Sequence, residues 1–228
     1  MTQAFLQIDV LLDRKEGRDE IAELTKEASK DPTKRAEIYE SDEESGPNGR
    51  GCTANVMLIV NKKMYVANAG DSRAILIYTD GRVEEMSFDH KPDLEIERNR
   101  ICKAGGSVFN GRVDGNLNLS RALGDLNYKD RRDLSPQEQK ITAFPDVKEF
   151  PLTGDVYGVV MGCDGVYERK TSKEIGEFVL KESKANPDAP LSKTIEKLLD
   201  VLISPDYSQT AGAGCDNMTC IFIKFKHR

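Results

Sequence analysis

Three aspartates in this sequence have the type and placement needed to bind a cation. Asp71 ends one strand-like run and Asp164 ends another, whereas Asp216 opens the last one. Each has a Gly or Asn beside it, which lets the backbone turn tightly. Carboxylates gathered at one rim repel each other unless a cation lies among them, and oxygen ligands without His or Cys favour Mg²⁺ or Mn²⁺ over zinc. Glu168, four residues after Asp164, could join them, and the alternative for any single Asp-Gly is an ordinary turn.

Nucleophilic chemistry based on histidine or cysteine is poorly supplied. The sequence has two histidines, one of them next to the C-terminal residue, so His90 is the sole candidate general base. Cys163 and Arg169 have the C-x5-R spacing of a cysteine phosphatase loop. Such a loop must bind a phosphate dianion, but Asp164 and Glu168 would place two negative charges within it and oppose the thiolate that catalysis needs. A cysteine phosphatase therefore remains an unfavoured alternative.

The composition is that of an ordinary globular protein and argues against several classes. The 228 residues are 38% hydrophobic and 32% charged, and a net charge of −6 gives no basic footprint for nucleic acid. Five cysteines, none in a C-x-x-C pair, argue against a disulfide framework and a zinc site and favour a reducing compartment. The longest apolar run, Ala54–Val60, is too short to span a bilayer, and no signal peptide opens the sequence. We therefore expect a soluble, intracellular protein of the cytoplasm or nucleus, with one domain over 1–228 and no nucleic-acid or membrane partner.

The elements that must position these aspartates follow from periodicity and turn signals. Met1–Leu12 is predicted to be the end of a helix, and the segment 13–50, more than half charged, a flexible insert with at most a short helix. Three closely spaced strands are predicted to form an antiparallel meander, followed by further strands and helices. The predicted strands are Thr53–Val60, Lys63–Ala69, Arg73–Tyr78, Val156–Met161 and Met218–Lys226, and the helices are Asp93–Lys103, Ser172–Lys184 and one through Ile195, Leu198, Leu199 and Leu202. Strands and helices without regular βα alternation predict an α+β fold, with sheet on sheet and helices outside.

Seven short sequence blocks follow one another in a characteristic order. They are Gly51–Ala54, Ala67–Arg73, Asp89–Pro92 with Arg100-Ile101 and Ala104–Gly106, Leu119–Asp125, Pro145–Val147, Cys163–Val166 and Asp216–Thr219. In this order they resemble the PP2C family of metal-dependent protein serine/threonine phosphatases along nearly the whole chain. The charged segment before the first block and the Gly214–Cys220 sequence are most similar to the gamma-type isoforms. The resemblance implies an αββα four-layer sandwich, in which helices flank two antiparallel sheets and a two-metal Mg or Mn centre lies in the cleft between the sheet edges.

The resemblance also implies roles for particular residues. In the PP2C family, the positions that match Asp164 and Asp216 bind one catalytic metal. A third metal uses the positions that match Asp71, Asp164 and Glu168, although the family usually has Asp at the last of them. The activity implied is hydrolysis of phosphoserine and phosphothreonine in phosphoprotein substrates by a metal-activated water. Other matching residues are expected to pin turns beneath the site, namely Arg73, Arg121 and Asp125.

One block of the family has no match in this sequence. The D-G-H-G-G block, whose aspartate bridges both metals, is absent, so the water-activating and phosphate-binding residues are expected upstream of Met1. We therefore expect the C-terminal portion of the domain, lacking N-terminal strands, with weak metal binding and little activity alone. Exposed sheet edges beside Thr53–Val60 and Val156–Met161 would then predict pairing with a separate N-terminal fragment or strand exchange. The remaining alternative is a non-catalytic pseudophosphatase that serves as a binding module.

Overall fold

The computed structural model describes residues 1–28, 30 and 49–226. The helices in these ranges are α1 (Thr2–Asp13), α2 (Lys15–Ala28), α3 (Glu95–Lys103), α4 (Ser172–Ala185), α5 (Leu191–Leu202) and α6 (Tyr207–Thr210). The strands are β1 (Gly51–Cys52), β2 (Ala54–Val60), β3 (Lys63–Ala69), β4 (Arg73–Tyr78), β5 (Val83–Glu85), β6 (Val108–Phe109), β7 (Arg112–Val113), β8 (Leu123–Gly124), β9 (Asp146–Pro151), β10 (Val156–Gly162) and β11 (Cys220–Lys224). The chain forms two compact units: the first combines Met1–Ala54 with His90–Asp146, and the second combines Asn55–Asp89 with Val147–Arg228.

The first unit holds α1 to α3 and two short antiparallel strand pairs, β1 with β8 and β6 with β7. Its apolar cluster contains Ile101 from α3, together with Val113, Ala122 and Ile141. The structure confirms the helix predicted at the N-terminus, and Phe5 is its buried residue. Part of the predicted insert, Lys15–Ala28, forms α2, whereas its residues 29 and 31–48 lie outside the described residues, so their flexibility stays a prediction.

The second unit is layered. One sheet has the order β2-β3-β9 and the other the order β11-β10-β4-β5, with antiparallel pairing between β11, β10, β4 and β5. An apolar cluster that includes Met64 of β3 and Leu76 of β4 lies between the sheets. A second cluster joins Val160 of β10 to α4 and α5, where Leu198 and Leu202 are fully buried. Burial of each leucine contributes roughly 1.5–3 kcal/mol. The α+β prediction, with antiparallel sheets and helices outside, is confirmed.

The predicted three-strand meander is only partly correct. β2 and β3 are neighbours, and Asn61 and Lys62 between them both have positive φ, of 48° and 61°, as in a type I′ hairpin turn. β4, however, belongs to the other sheet. Ser72 and the two residues before it therefore carry the chain across from one sheet to the other, a crossover that strand spacing along the sequence does not reveal.

Of the two sheet edges predicted to be exposed, the structure has one, beside Thr53–Val60. β10 pairs with β11 on one side and β4 on the other, so the expectation of an open edge beside Val156–Met161 is wrong. β2, in contrast, is the first strand of its sheet. Val56, Leu58 and Val60 on this strand are 42–47% exposed.

Helix α4 begins at Ser172, as the sequence predicts. Thr171 caps α4 by accepting a hydrogen bond from the Glu174 backbone N–H, and the Glu174 carboxylate accepts one from the Thr171 backbone N–H. This reciprocal capping box stabilises the first turn of the helix. Across the described ranges, no helix combines the length and apolar character needed to cross a membrane.

Candidate metal centre

The three candidate aspartates lie at one end of the β11-β10-β4-β5 sheet. Gly162, the last residue of β10, pairs with Arg73 at the start of β4 and with Cys220 at the start of β11. Asp164 lies two residues beyond Gly162, and Asp71 lies two residues before Arg73. Because these pairs are antiparallel, the segments that carry the aspartates leave the sheet at the same end.

Asp164 and Asp216 are brought together by direct backbone packing. A Cβ placed on Gly165 would lie 2.6 Å from the carbonyl oxygen of Asn217 and 3.4 Å from the Asp216 Cβ, so only glycine allows this approach. Asp164 Oδ1 accepts a hydrogen bond of 2.9 Å from the Gly165 N–H. Asp216 Oδ1 accepts one of 2.7 Å from the Asn217 N–H. These local bonds orient both carboxylates on adjoining turns.

Asp71 lies in the crossover between β3 and β4 and is 4% exposed. A buried amide network holds this crossover in place. Asn68 on β3 donates from Nδ2 to the Gly70 carbonyl oxygen at 3.0 Å. Asn55 on β2 donates to Asn68 Oδ1 at 2.9 Å and to the Ser72 carbonyl oxygen at 3.2 Å. The network thus fixes the turn on both sides of Asp71.

Glu168 is held by a backbone group. Its Oε2 accepts a hydrogen bond of 2.7 Å from the Gly214 N–H. Within the described ranges, no three His, Cys, Asp or Glu side chains are grouped so as to hold a metal ion. The third-metal set of Asp71, Asp164 and Glu168 therefore stays a prediction.

The donor chemistry of the site suits a hard divalent cation. Asp164 and Asp216 offer carboxylate oxygens on adjoining turns, and neither residue is fully buried. Mg²⁺ is commonly bound by one or two carboxylates, with waters and substrate phosphates completing its octahedron. The residues present fit this donor set, although two carboxylates alone make a weak site.

Arg73 braces the segments beneath this end of the sheet. Its Nε and NH2 donate to the two carboxylate oxygens of Asp89 at 3.0 and 2.8 Å, and its NH1 donates to Ser172 Oγ at 2.9 Å. The guanidinium also lies 4.7 Å from the centre of the Tyr167 ring. Arg73 is thus engaged by several protein groups, which suits the supporting role expected of it.

The C-x5-R residues have contacts that differ from those of a phosphate-binding loop. Cys163 Sγ accepts a hydrogen bond of 3.2 Å from the Thr219 N–H. Arg169 NH1 donates to backbone carbonyl oxygens at the end of α5, the shortest bond being 2.7 Å to Ile203. Burial, followed by the proximity of Cys163, raises the pKa of the neighbouring Cys220 thiol to about 12. The side chains of Cys163 and Arg169 are thus both bonded to backbone groups of neighbouring segments.

A buried charge network in the first unit went unpredicted. Glu97 on α3 is fully buried and accepts hydrogen bonds from Arg121, Arg100 and Ser120. Burial alone would raise the pKa of Glu97, but the hydrogen bond and charge of Arg121 and the charge of Arg100 lower it to about 2. In the sequence, Glu97 sits among charged residues and resembles a solvent-exposed position. The signal in the sequence that could have revealed the burial of Glu97 is the apolar Ile101 four residues later. Ile101 lies on the same helix face and is fully buried in the structure.

His90 is joined to the same network through Asp146. Its Nε2 lies 3.2 Å from Asp146 Oδ2, and Arg121 NH1 lies 2.8 Å from Asp146 Oδ1. The hydrogen bond to His90 and the Arg121 charge lower the pKa of Asp146. His90 is 3% exposed, so the sole candidate base of the sequence is bound within a structural network.

Asp125 belongs to a second buried cluster of the first unit. It is 7% exposed, and its carboxylate packs against Gly51, where an added Cβ would lie 2.2 Å from Oδ2. Burial raises the pKa of Asp125 to about 6, the Lys129 ammonium opposing this shift and the Asp9 carboxylate adding to it. Lys129 Nζ in turn lies 2.5 Å from Asp9 Oδ2, which ties α1 to the segment after β8.

Comparison with known proteins agrees with this fold. The family model described as "Protein phosphatase 2C" matches residues 6–210. The "Probable protein phosphatase 2C 5" of Paramecium tetraurelia is 47% identical over 226 residues, which cover 99% of this chain and 70% of the relative. "Protein phosphatase 1G" of Rattus norvegicus is 47% identical over 194 residues, covering 83% of this chain and 35% of that protein.

The solved structures give the same result. A crystal structure of a phosphatase from Toxoplasma gondii superposes with a TM-score of 0.62 at 36% identity over 72% of this chain. The present chain spans about half of that structure, 48% of its length. Because the family model covers most of the sequence and close relatives align along nearly all of it, the chain belongs to the protein phosphatase 2C family.

Proposed function

We propose that this chain takes part in metal-dependent hydrolysis of phosphoserine and phosphothreonine in phosphoprotein substrates. The observation that carries the proposal is the packing of Gly165 against Asn217, which places Asp164 and Asp216 on adjoining turns. These two carboxylates would hold Mg²⁺ or Mn²⁺. Such an ion, when bound, would supply positive charge that lowers the pKa of an attacking water and offsets the charge of the phosphoryl oxygens.

The chain's own residues would hold and brace this centre. Asp164 and Asp216 are oriented by the amides that follow them, and Arg73 fixes the segments beneath. Turnover by these 228 residues alone is expected to be low, because within the described ranges no third acidic, His or Cys side chain joins the pair. A non-catalytic binding module is the second candidate function, favoured by the same observation.

The contacts of Cys163 and Arg169 argue against a cysteine phosphatase. An arginine that binds a phosphate dianion needs its donors directed into the site. Here Arg169 NH1 is engaged by the carbonyl oxygens that end α5.

A phosphatase assay tests the proposal. In a chain that also carries the D-G-H-G-G block, hydrolysis of a phosphothreonine peptide should require added Mn²⁺ or Mg²⁺, stop with EDTA and be lost in Asp164→Ala. Asp188→Ala, which changes an exposed residue between α4 and α5, is the matched control. Absence of hydrolysis together with retained peptide binding would favour the binding module.

Partner and location are proposed with the function. The open edge of β2, with its exposed Val56 and Leu58, supports pairing with a strand from a separate N-terminal fragment or from a second copy. All five cysteines are free thiols, which supports a reducing compartment, the cytoplasm or the nucleus. The proposed assignment to the gamma-type isoforms rests on the charged segment before Gly51, on Asn118–Ser120 and on the Gly214–Cys220 sequence.

A further inference from the structure

Two residues that follow Asp164 hold the loop that leads to Asp216. We propose that Glu168 and Arg169 are positioning residues of the metal centre: they clamp the segment between α5 and β11 and so determine where Asp216 lies. The consequence for metal binding rests on the proposed function, whereas the clamp itself rests on contacts within the second unit.

Arg169 holds the start of this loop. Its NH1 donates to the carbonyl oxygens of Ile203 at 2.7 Å, Leu202 at 3.1 Å and Val201 at 3.3 Å. The last carbonyl groups of a helix lack partners within it and carry partial negative charge. A guanidinium donates hydrogen bonds to these carbonyl groups and offsets their partial negative charge. Arg169 therefore anchors the C-terminus of α5 at the point where the loop begins.

Glu168 holds the far end. Gly214 donates its N–H to Glu168 Oε2 at 2.7 Å, and its own carbonyl oxygen accepts from the Ser204 N–H at 2.8 Å, closing the loop. Gly214 has a φ of +81°, and an added Cβ would lie 2.3 Å from Arg169 Cδ and 2.5 Å from the Leu202 carbonyl oxygen. A glycine is therefore required where the two ends of the loop meet the clamp.

The clamp and the carboxylates share one short segment. The segment 164–169 begins with Asp164, and Gly165 on it packs against Asn217. Glu168 and Arg169 at its end hold the loop that leads to Asp216. Without the clamp, the Asp216 turn would be held mainly by its packing against Gly165, so Asp216 would be positioned less firmly. Metal affinity depends on groups that orient the ligands, so loosening the clamp should weaken binding.

The clamp assigns Glu168 a role other than metal ligand. A ligand acts through its negative charge, whereas the bond from Gly214 needs only an acceptor oxygen. Glu168→Gln removes the charge and keeps such an oxygen, so this variant separates the two roles. Arg169→Ala tests the other half of the clamp without touching any carboxylate.

The experiment combines calorimetric titration of Mn²⁺ with amide hydrogen exchange on the whole chain. Glu168→Ala and Arg169→Ala should each weaken Mn²⁺ binding by roughly tenfold and speed exchange in residues 204–215, because this loop opens locally. Glu168→Gln should match the unchanged chain in both measurements. Glu177→Gln, an exposed position on α4, is the neutral control.

Each other outcome has a distinct meaning. Equal loss of Mn²⁺ affinity in Glu168→Gln and Glu168→Ala would overturn the proposal, since the charge would be what matters. Unchanged exchange in the loop of Glu168→Ala and Arg169→Ala would overturn the clamp, and faster exchange with unchanged affinity would overturn the positioning role. An unchanged chain that binds no Mn²⁺, with faster loop exchange in both alanine variants, would support the clamp and refute the proposed metal centre.

Discussion

The Glu97 carboxylate lies 2.6 Å from the Arg121 guanidinium, and the two side chains are 0% and 8% exposed. The pair joins helix α3 to the segment after β7, and Arg121 extends it to Asp146. An ion pair this deeply buried stabilises the fold only while it is complete, because either charge left alone is costly.

Glu97→Gln should therefore lower the free energy of unfolding by about 3–5 kcal/mol at pH 7. The pKa of Glu97 in the folded protein, about 2, lies below the ordinary value of 4.5 for a glutamate. The stabilisation is fully present above about pH 4.5 and is lost as the pH falls toward 2, so the gap between variant and parent should close over that window. Urea unfolding across this range measures it. Glu95→Gln, exposed on the same helix, should cost about 1 kcal/mol or less, and an equal effect of both changes would contradict the prediction.

Asp125→Asn should have the opposite effect. The pKa of Asp125, raised from 3.8 to about 6 by burial, means that ionisation of this carboxyl destabilises the folded state as the pH rises through this range. The neutral amide avoids that cost, so the variant should gain stability between about pH 4 and 6 and hold the gain above. A value on the order of 3 kcal/mol is the upper bound. Thermal melting at pH 4 and pH 7 checks it, with the exposed Asp130→Asn as control. A pH-independent difference would refute it.

Asp216→Ala should weaken Mn²⁺ binding. The Asp216 carboxylate lies on the turn that packs against Gly165, and removing it halves the oxygen donors of the candidate centre. Calorimetric titration of parent and variant should show a loss of at least ~10-fold. Equal affinity in the two proteins would mean that the metal site lies elsewhere.

Cys163→Ser should leave phosphatase turnover unchanged. The thiol accepts a bond from Thr219, and Arg169 is held by the end of α5, so neither is arranged to attack or bind a phosphate. The assay uses a phosphothreonine peptide and a chain that also carries the D-G-H-G-G block. Turnover should still vanish with EDTA. Loss of turnover in Cys163→Ser, with folding and metal affinity intact, would favour a cysteine mechanism.

The β2 edge should make the isolated chain associate or melt at low temperature. Leu58 is 47% exposed on the first strand of its sheet, and such edges recruit other strands. Leu58→Lys should reduce association in light scattering, whereas Ile96→Lys, at an exposed position on helix α3 rather than on a sheet edge, should not. A cooperative, high-melting monomer would show that β2 needs no partner.

Local signals in the sequence predicted most helices and strands but not their assembly. The capping box at Thr171 and the Asn61-Lys62 turn depend on neighbouring residues, so they are readable from short stretches of sequence. The transfer of β4 to a second sheet depends on contacts far apart in the chain and was missed. The burial of Glu97 was missed for the same reason, since its partner Arg121 lies 24 residues away.

For the candidate site, the sequence predicted which residues belong to it but not how their segments contact one another. The sequence placed Asp164 and Asp216 at strand ends; in the structure Asp164 lies two residues after β10, whereas Asp216 lies four residues before β11 begins. The hydrogen bond from Gly214 to Glu168 has no counterpart in any short sequence pattern. It arises because a loop of the second unit folds back on the segment after β10.

The amide network around Asn68 has a mechanical consequence. Asn55 donates also to Ser87 Oγ, which itself accepts from the Ala74 N–H, so one set of hydrogen bonds spans strands of both sheets. Sliding one sheet over the other by a single residue, about 3.3 Å, would break these bonds together. Apolar side chains alone would resist such shear weakly, because their contacts re-form after a small displacement. These hydrogen bonds therefore oppose sliding of the two sheets over each other.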